Sequence, residues 1–352
     1  MGDPTTVVRG AAVQAAPVFL DRDASIEKAI GLIEEAAAGG AQIIGFPEGF
    51  IPAHPIWFHF HPGTGREGTK LAVELFKNSV EVPGPHIDAL AAAAKRTGTY
   101  VVMGACERLA GTFGTMYNTQ VFISPTDGYI GKHQKLVPTV GERLVHRPGG
   151  PETFGVFDSP WGPVSGLMCG ENSNPLAIFA LTAEATRVHV MAWPNHFPTP
   201  ALPMPEISLV AARAFAQMSK AWVISASAVV DDRIRDMVSL NADDRAYLER
   251  DDIGGGSCII SPDTRIAAGP AVGNDEVILF ADMDFDAGIR MKLRHDLAGH
   301  YNRPDVFRLL VNKHAAPLIH TAGDAALGIP DEPLLLDAVD PAQLEAPGTD
   351  AG

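Results

Sequence analysis

Cysteine is scarce in this chain: Cys106, Cys169 and Cys258 are the only three among 352 residues. An odd, sparse count without a CxxC pair excludes a disulfide framework and fits reduced thiols in a cytoplasm. Positive charge is also short. Lys and Arg number 27 against 42 Asp and Glu, for a net charge of -15. That balance argues against nucleic acid as a partner, because phosphate binding needs a basic face. No apolar run approaches the roughly 20 residues that span a bilayer. The N-terminus has no basic segment followed by an apolar stretch, so neither secretion nor membrane contact is expected. A cytoplasmic protein is the expectation.

What is present is enough for a large core. Apolar residues make up 46% of the chain and charged residues 20%, which excludes global disorder and leaves room for one large α/β domain. No linker divides the chain before about Pro317. From Thr321 to Gly352 there are seven acids and no Lys or Arg, with Pro, Gly and Ala between them. The expected organisation is one α/β domain over 1–316 and an acidic, mobile tail over 317–352.

Short apolar runs alternate with helical periodicity. Val7 to Gln14 reads as a buried strand. Ser25 to Ala38 has apolar residues at helical spacing before Gly39-Gly40, and AQIIGFP from Ala41 to Pro47 is a second strand. A helix near His86 to Arg96 precedes strand Tyr100 to Cys106. Two stretches, VFISPTDGYIG and CIISPDTRIAAG, read as hairpins with Pro/Asp turns. Between them, Val164 to Met168 leads into a helix from Pro175, Val188 to Trp193 leads into Glu206 to Lys220, and Ala221 to Val230 is a further strand. Repeated β–α units with a hairpin in each half predict two related sheets covered by helices.

Four residues stand where such a fold exposes chemistry. Glu48 ends an apolar strand, the place where an open sheet presents groups to a crevice; by itself it reads equally as a cap or surface carboxylate. Lys135 follows the first hairpin, and taken alone it belongs to a solvated basic cluster with Lys132 and His133. Glu142, seven residues on, has Arg143 and Arg147 as ready partners. Cys169 sits between a strand and a helix start marked by Asn174 and Pro175. Backbone N–H groups and the positive end of a helix favour thiolate there, although most free cysteines are simply buried.

Together the surrounding words carry a resemblance. PEGF (Pro47 to Phe50), HQKLVPTVGERL (His133 to Leu144), CGENSNPL (Cys169 to Leu176) and GHYNRPDVF (Gly299 to Phe307) resemble the carbon–nitrogen hydrolases, and their particular forms resemble the nitrilase branch. The resemblance covers roughly Val7 to Arg308. It implies an α/β fold of the four-layer αββα sandwich type and a Glu-Lys-Cys triad at Glu48, Lys135 and Cys169, with Glu142 as the additional glutamate. It also implies no cofactor and no metal, and self-association as a dimer and higher spiral oligomer. Many members have tyrosine where this chain has His54, and the turn after the Glu142 motif reads Arg147-Pro148-Gly149-Gly150.

The chemistry such a triad must solve is a proton transfer. Ordinary pKa values of about 4.3 for Glu and 8.5 for Cys oppose movement from sulfur to carboxylate by roughly 6 kcal/mol. Burial must therefore raise Glu48, while Lys135 and the helix terminus must lower Cys169. The implied reaction is hydrolysis of an organic nitrile by water to the acid and ammonia, through thioimidate and thioester intermediates. Aromatic residues follow two strand ends, at Trp57 and Phe58 and in AWPNHFP from Ala192 to Pro198. Substrate-binding candidates are His54, Trp57, Trp193 and Asn172, and the aromatic walls point to aromatic or arylaliphatic nitriles. The same triad would serve an amidase, a carbamoylase or a cyanide-degrading enzyme. An inactive filament-forming protein is the alternative without chemistry. His54, His59 and His61 form a knot of imidazoles, but the sequence around them offers no carboxylate partner for a metal. The charge-dense Val229 to Gly256 is a candidate source of intersubunit salt bridges.

Overall fold

The computed structural model describes residues 6–195 and 203–315. The tail expected over 317–352 lies outside the described residues, as do His196 to Pro198 of the second aromatic stretch.

The elements follow in the order β1 (Val7–Gln14), α1 (Arg22–Ala38), β2 (Ile43–Gly45), α2 (Arg66–Asn78), α3 (Pro85–Thr97), β3 (Tyr100–Arg108), β4 (Met116–Ser124) and β5 (Gly128–Gln134). The second half supplies β6 (Val156–Phe157), β7 (Val164–Met168), α4 (Pro175–Ala183), β8 (Val188–Trp193), α5 (Met204–Ser219) and β9 (Trp222–Ser227). It ends with α6 (Asp232–Val238), α7 (Ala242–Leu248), β10 (Gly255–Ile260), β11 (Ile266–Val272), β12 (Val277–Asp284) and α8 (Asp286–Lys292). Local chemistry sets the boundaries. Asp21 caps α1 by accepting from Ala24 N, Pro85 opens α3, and Gly98 ends it in the left-handed region.

Two six-stranded sheets result, ordered β12-β1-β2-β3-β4-β5 and β11-β10-β9-β8-β7-β6. In each, three central strands run parallel, β1-β2-β3 and β7-β8-β9, and the flanking strands are antiparallel. The central strands are buried on both faces, which is why they read as unbroken apolar runs rather than alternating ones. Between the sheets, Val8, Ile43, Val102 and Phe122 of one pack with Val164, Val190, Ile224 and Ile259 of the other. α1 and α3 cover the outer face of the first sheet, and α4 and α5 that of the second. The layers are therefore αββα. Gly45 permits the close approach of the sheets, since a Cβ there would lie 2.7 Å from Val190 Cγ1.

The sequence pattern misses β12, α2, α6 and α7. β12 pairs with β1 along the whole of β1, from Val7 opposite Asp284 to Gln14 opposite Val277. It is an edge strand, half-buried, so its hydrophobic signal is weak. The charge-dense segment after β9 folds into α6 and α7, and its ions pair within the segment. Arg245 reaches Asp236 at 2.6 Å and Glu249 at 3.1 Å, and Arg250 reaches Asp252 at 2.6 Å.

Candidate active site

Three loops at the strand ends bring the candidate residues together. The chain leaves β2 with Phe46 N donating to Val102 O, and Glu48 N donates to Trp193 O at 3.2 Å, at the end of β8 in the other sheet. Gly104 of β3 passes directly beneath this turn. A Cβ at that position would sit 2.0 Å from Pro47 O, so only glycine fits. Lys135 follows β5, its N–H donating to Asn118 O and its carbonyl accepting from Gly149 N. Glu142 lies in a 3₁₀ turn over Val140–Leu144 that Thr139 caps. Cys169 directly follows β7 with φ of 49°, a left-handed conformation that a non-glycine residue adopts at a cost of about 1–3 kcal/mol and that surrounding contacts must hold.

Lys135 Nζ donates to Glu48 Oε1 at 2.7 Å and to Glu142 Oε2 at 2.5 Å. All three are deeply buried: Glu48 and Lys135 are 1% exposed, Glu142 3%. Burial drives the Glu48 carboxyl up, against the pull of Lys135 and helped by Glu142, to about 7. Burial also opposes the Lys135 ammonium, but Glu48, Cys169 and Glu142 outweigh it and hold the amine protonated. The same ammonium keeps Glu142 well below the usual carboxylate range despite its burial. Glu48 Oε2 is buried and has no hydrogen-bond partner among the described residues, so one oxygen of a carboxyl poised near neutrality is available to take a proton.

The expectation of a depressed Cys169 fails. Burial pushes its thiol up to about 12; Lys135 and the Gly170 amide pull it down, but Glu48 and Glu142 add to the rise. The reason is charge balance. Two carboxylates and one ammonium already leave this dry cluster with one net negative charge, and a free thiolate would add a second. Transfer of the sulfur proton to Glu48 keeps the total constant. The arrangement therefore suits a thiol that ionises only as Glu48 accepts its proton.

The remaining candidates divide. His54 is brought to the cluster, with Nδ1 3.7 Å from Glu48 Oε1; burial pushes its pKa down to about 3, so the ring is neutral. The missing carboxylates are in fact supplied by the fold, since ligand atoms of Glu48, His54 and Glu142 lie within 4.8 Å of one another. Both carboxylates, however, accept from Lys135, so the cation among them is the protein's own. His61 turns away to Val238 O at 2.8 Å. Trp193 is buried with its indole N–H on Ser225 Oγ and shares an apolar cluster with Cys169. Trp57 packs in a different cluster, edge-on to Phe19. Asn172 donates its amide to the carbonyls of Leu167 and Cys169, and its Oδ1 faces His189 Nε2 at 3.0 Å. It shapes the cysteine loop, with its polar atoms already used.

Sequence reasoning missed Asn118, whose Nδ2 donates to Glu48 Oε1 at 2.6 Å and to Glu142 Oε1 at 2.7 Å. It missed His146 as well, which places Nδ1 3.3 Å from Glu142 Oε1 and Nε2 3.4 Å from Cys106 Sγ. The signal for Asn118 was a polar residue inside a strand whose every position is buried, since such a group must find partners.

With this geometry established, comparison with known proteins is informative. The pattern that defines carbon–nitrogen hydrolases matches residues 9–292. The chain belongs to the carbon–nitrogen hydrolase family. It is 35% identical over 321 residues to Nitrilase 2 of an unknown prokaryotic organism, spanning 91% of this chain and 96% of that protein. To the aliphatic nitrilase of Rhodococcus rhodochrous it is 33% identical over 330 residues, spanning 92% and 87%. Family membership thus extends to the nitrilase branch, and the protein is a hydrolase of carbon–nitrogen bonds. The fold matches that of Saccharomyces cerevisiae Nit3, a member of branch 10 of the nitrilase superfamily, with a TM-score of 0.64 at 18% identity over 84% of this chain and 97% of that one. Among the described residues, no helix is long and apolar enough to cross a membrane.

Proposed function

We propose that this hydrolase converts an organic nitrile to the carboxylic acid and ammonia, with Cys169 as nucleophile, Glu48 as general base and Lys135 as the charge-stabilising acid. The observation that carries the reading is the buried cluster in which Lys135 bonds both Glu48 and Glu142 while all three act electrostatically on Cys169. As sulfur bonds to the nitrile carbon, Glu48 takes the thiol proton and Lys135 protonates the nitrogen, giving a thioimidate; Glu48 returns its proton to Lys135 across their 2.7 Å contact. Water deprotonated by Glu48 then adds to the thioimidate carbon. The nitrogen takes up that proton by way of Lys135 and then the new hydroxyl's proton by the same route, so the C–N bond breaks, ammonia departs, a thioester remains and Glu48 is again ionised. A second water releases the acid and restores the thiol. Glu142 holds Lys135 in place and keeps it charged.

Support for an aromatic or arylaliphatic nitrile is the apolar surround of the sulfur: Cys169 clusters with Trp193 and Met204, with Leu136 packed against them. Exposed apolar side chains on neighbouring helices, Leu176 of α4 and Val210 of α5, support self-association.

The test is ammonia release from benzonitrile, phenylacetonitrile, an aliphatic dinitrile, cyanide and the matching amides. Turnover greatest on the aryl and arylalkyl nitriles is the expected result. Preference for the dinitrile or cyanide would overturn the substrate class, and activity confined to amides would overturn nitrile hydrolysis itself.

A further inference from the structure

Glu171 stands two residues past Cys169 and enters none of the steps above, yet its buried carboxylate holds both halves of the site. Oε1 accepts from Leu136 N at 2.7 Å, the residue after Lys135. Oε2 accepts from Met168 N at 3.0 Å, the residue before Cys169, and lies 3.1 Å from His133 Nε2, two residues before Lys135. His133 Nδ1 has no hydrogen-bond partner among the described residues, so the contact with Glu171 is that buried imidazole's one hydrogen bond.

β5 and β7, which deliver Lys135 and Cys169, lie in different sheets. No ladder of backbone hydrogen bonds sets the spacing of their ends, which must come from side chains. The strained φ at Cys169 raises the demand, because that conformation persists only where its surroundings over-determine it. Glu171 supplies both constraints: it ties Met168 N at the entrance of the cysteine turn to Leu136 N at the exit of the lysine strand. We infer that Glu171 is a positioning residue that sets the separation of the Lys135 ammonium and the Cys169 sulfur. This deepens the nitrile-hydrolysis reading and rests on it for the roles of those two groups.

The experiment is Glu171→Gln in the full-length chain. A glutamine amide offers one acceptor oxygen and a donor nitrogen, so one of the two backbone N–H groups loses its acceptor. The expected loss in kcat on the preferred nitrile is about a hundredfold, the scale of a 1 Å misplacement, with KM little changed. Iodoacetamide alkylation of Cys169, mapped by peptide mass spectrometry, slows in parallel while Cys106 and Cys258 stay protected. Loss of fold would instead speed labelling at all three. Glu171→Asp keeps the charge but is one methylene too short to span both amides, so it does not restore kcat; full restoration would show that charge rather than span matters and would overturn the proposal. Folded Glu171→Gln with wild-type kcat and labelling rate would do the same. Should Glu171→Gln fail to fold, His133→Leu decides, since it leaves both backbone bonds intact: about a tenfold fall in kcat at unchanged KM supports the inference, and no change overturns it. If the wild-type protein turns over no nitrile, the substrate reading fails, while the alkylation comparison still judges Glu171.

Discussion

Lys135 Nζ lies 2.7 Å from Glu48 Oε1 across 87 residues of chain, and this contact joins the end of an antiparallel strand to the end of a parallel one. Both groups are removed from water, so neither charge is tolerable without the other. In the proposed reaction the pair would keep a cation where negative charge develops on substrate nitrogen and a carboxyl near neutrality where a proton is taken.

Lys135→Gln removes an ammonium bonded to two buried carboxylates. The loss of charge stabilisation is expected to raise the barrier by at least about 3 kcal/mol, a fall in kcat of more than a hundredfold. Steady-state kinetics on the preferred nitrile checks this, and a tenfold effect or less would remove Lys135 from the chemistry.

Cys169→Ala is expected to abolish turnover in a folded protein, because the remaining groups hold no nucleophile that can form the thioimidate. Circular dichroism with single-turnover ammonia release tests both halves. Measurable multiple turnover would transfer the nucleophile's role elsewhere.

The acid limb of kcat/KM should follow Glu48. The active form of a base is unprotonated, and burial sets this carboxyl at about 7. Activity therefore falls as pH drops through about 7, rather than through the usual carboxylate range near 4. A flat profile down to pH 5 would contradict the assignment.

Asn118→Leu should move that limb upward. Its amide donates to both Glu48 and Glu142, and a hydrogen bond to a charged group contributes about 1.5–3 kcal/mol. Loss of that donor disfavours ionised Glu48, so the limb shifts up by about one to two pH units. The same limb in wild type and variant would mean that Asn118 does not act on Glu48.

Leu176→Glu with Val210→Glu tests assembly. Placing charge on two exposed apolar positions of α4 and α5 is expected to reduce the molar mass seen by light scattering. An unchanged mass would put the contact on another face, and a monomeric wild type at micromolar concentration would defeat self-association altogether.

Much of the scaffold was legible because its signals are local. The buried parallel strands such as VHVMAW and WVISAS announce themselves as apolar runs, and Asn174-Pro175 marks the start of α4 by capping chemistry. β12 and α2 were not legible. β12 is a half-buried edge with a weak hydrophobic period, whereas α2 does carry Leu71, Leu75 and Phe76 at helical spacing, a signal diluted by the charged residues of its exposed face. The charge-dense stretch folds into α6 and α7 and carries ion pairs of its own, a local structure that composition alone does not reveal.

The residue types and their motif neighbours are properties of the chain, and they suffice to name Glu48, Lys135, Glu142 and Cys169 as candidates. Their protonation is not. Whether a thiol beside a lysine is depressed or raised depends on how many carboxylates share its dry volume; the first sheet gathers Glu48, Glu142 and Asn118, and only its packing on the second sheet sets Cys169 among them. Desolvation and Coulomb interaction act through space over a few ångströms, blind to sequence separation. That is why the composition of the site could be read along the chain, and its charge state only from the fold.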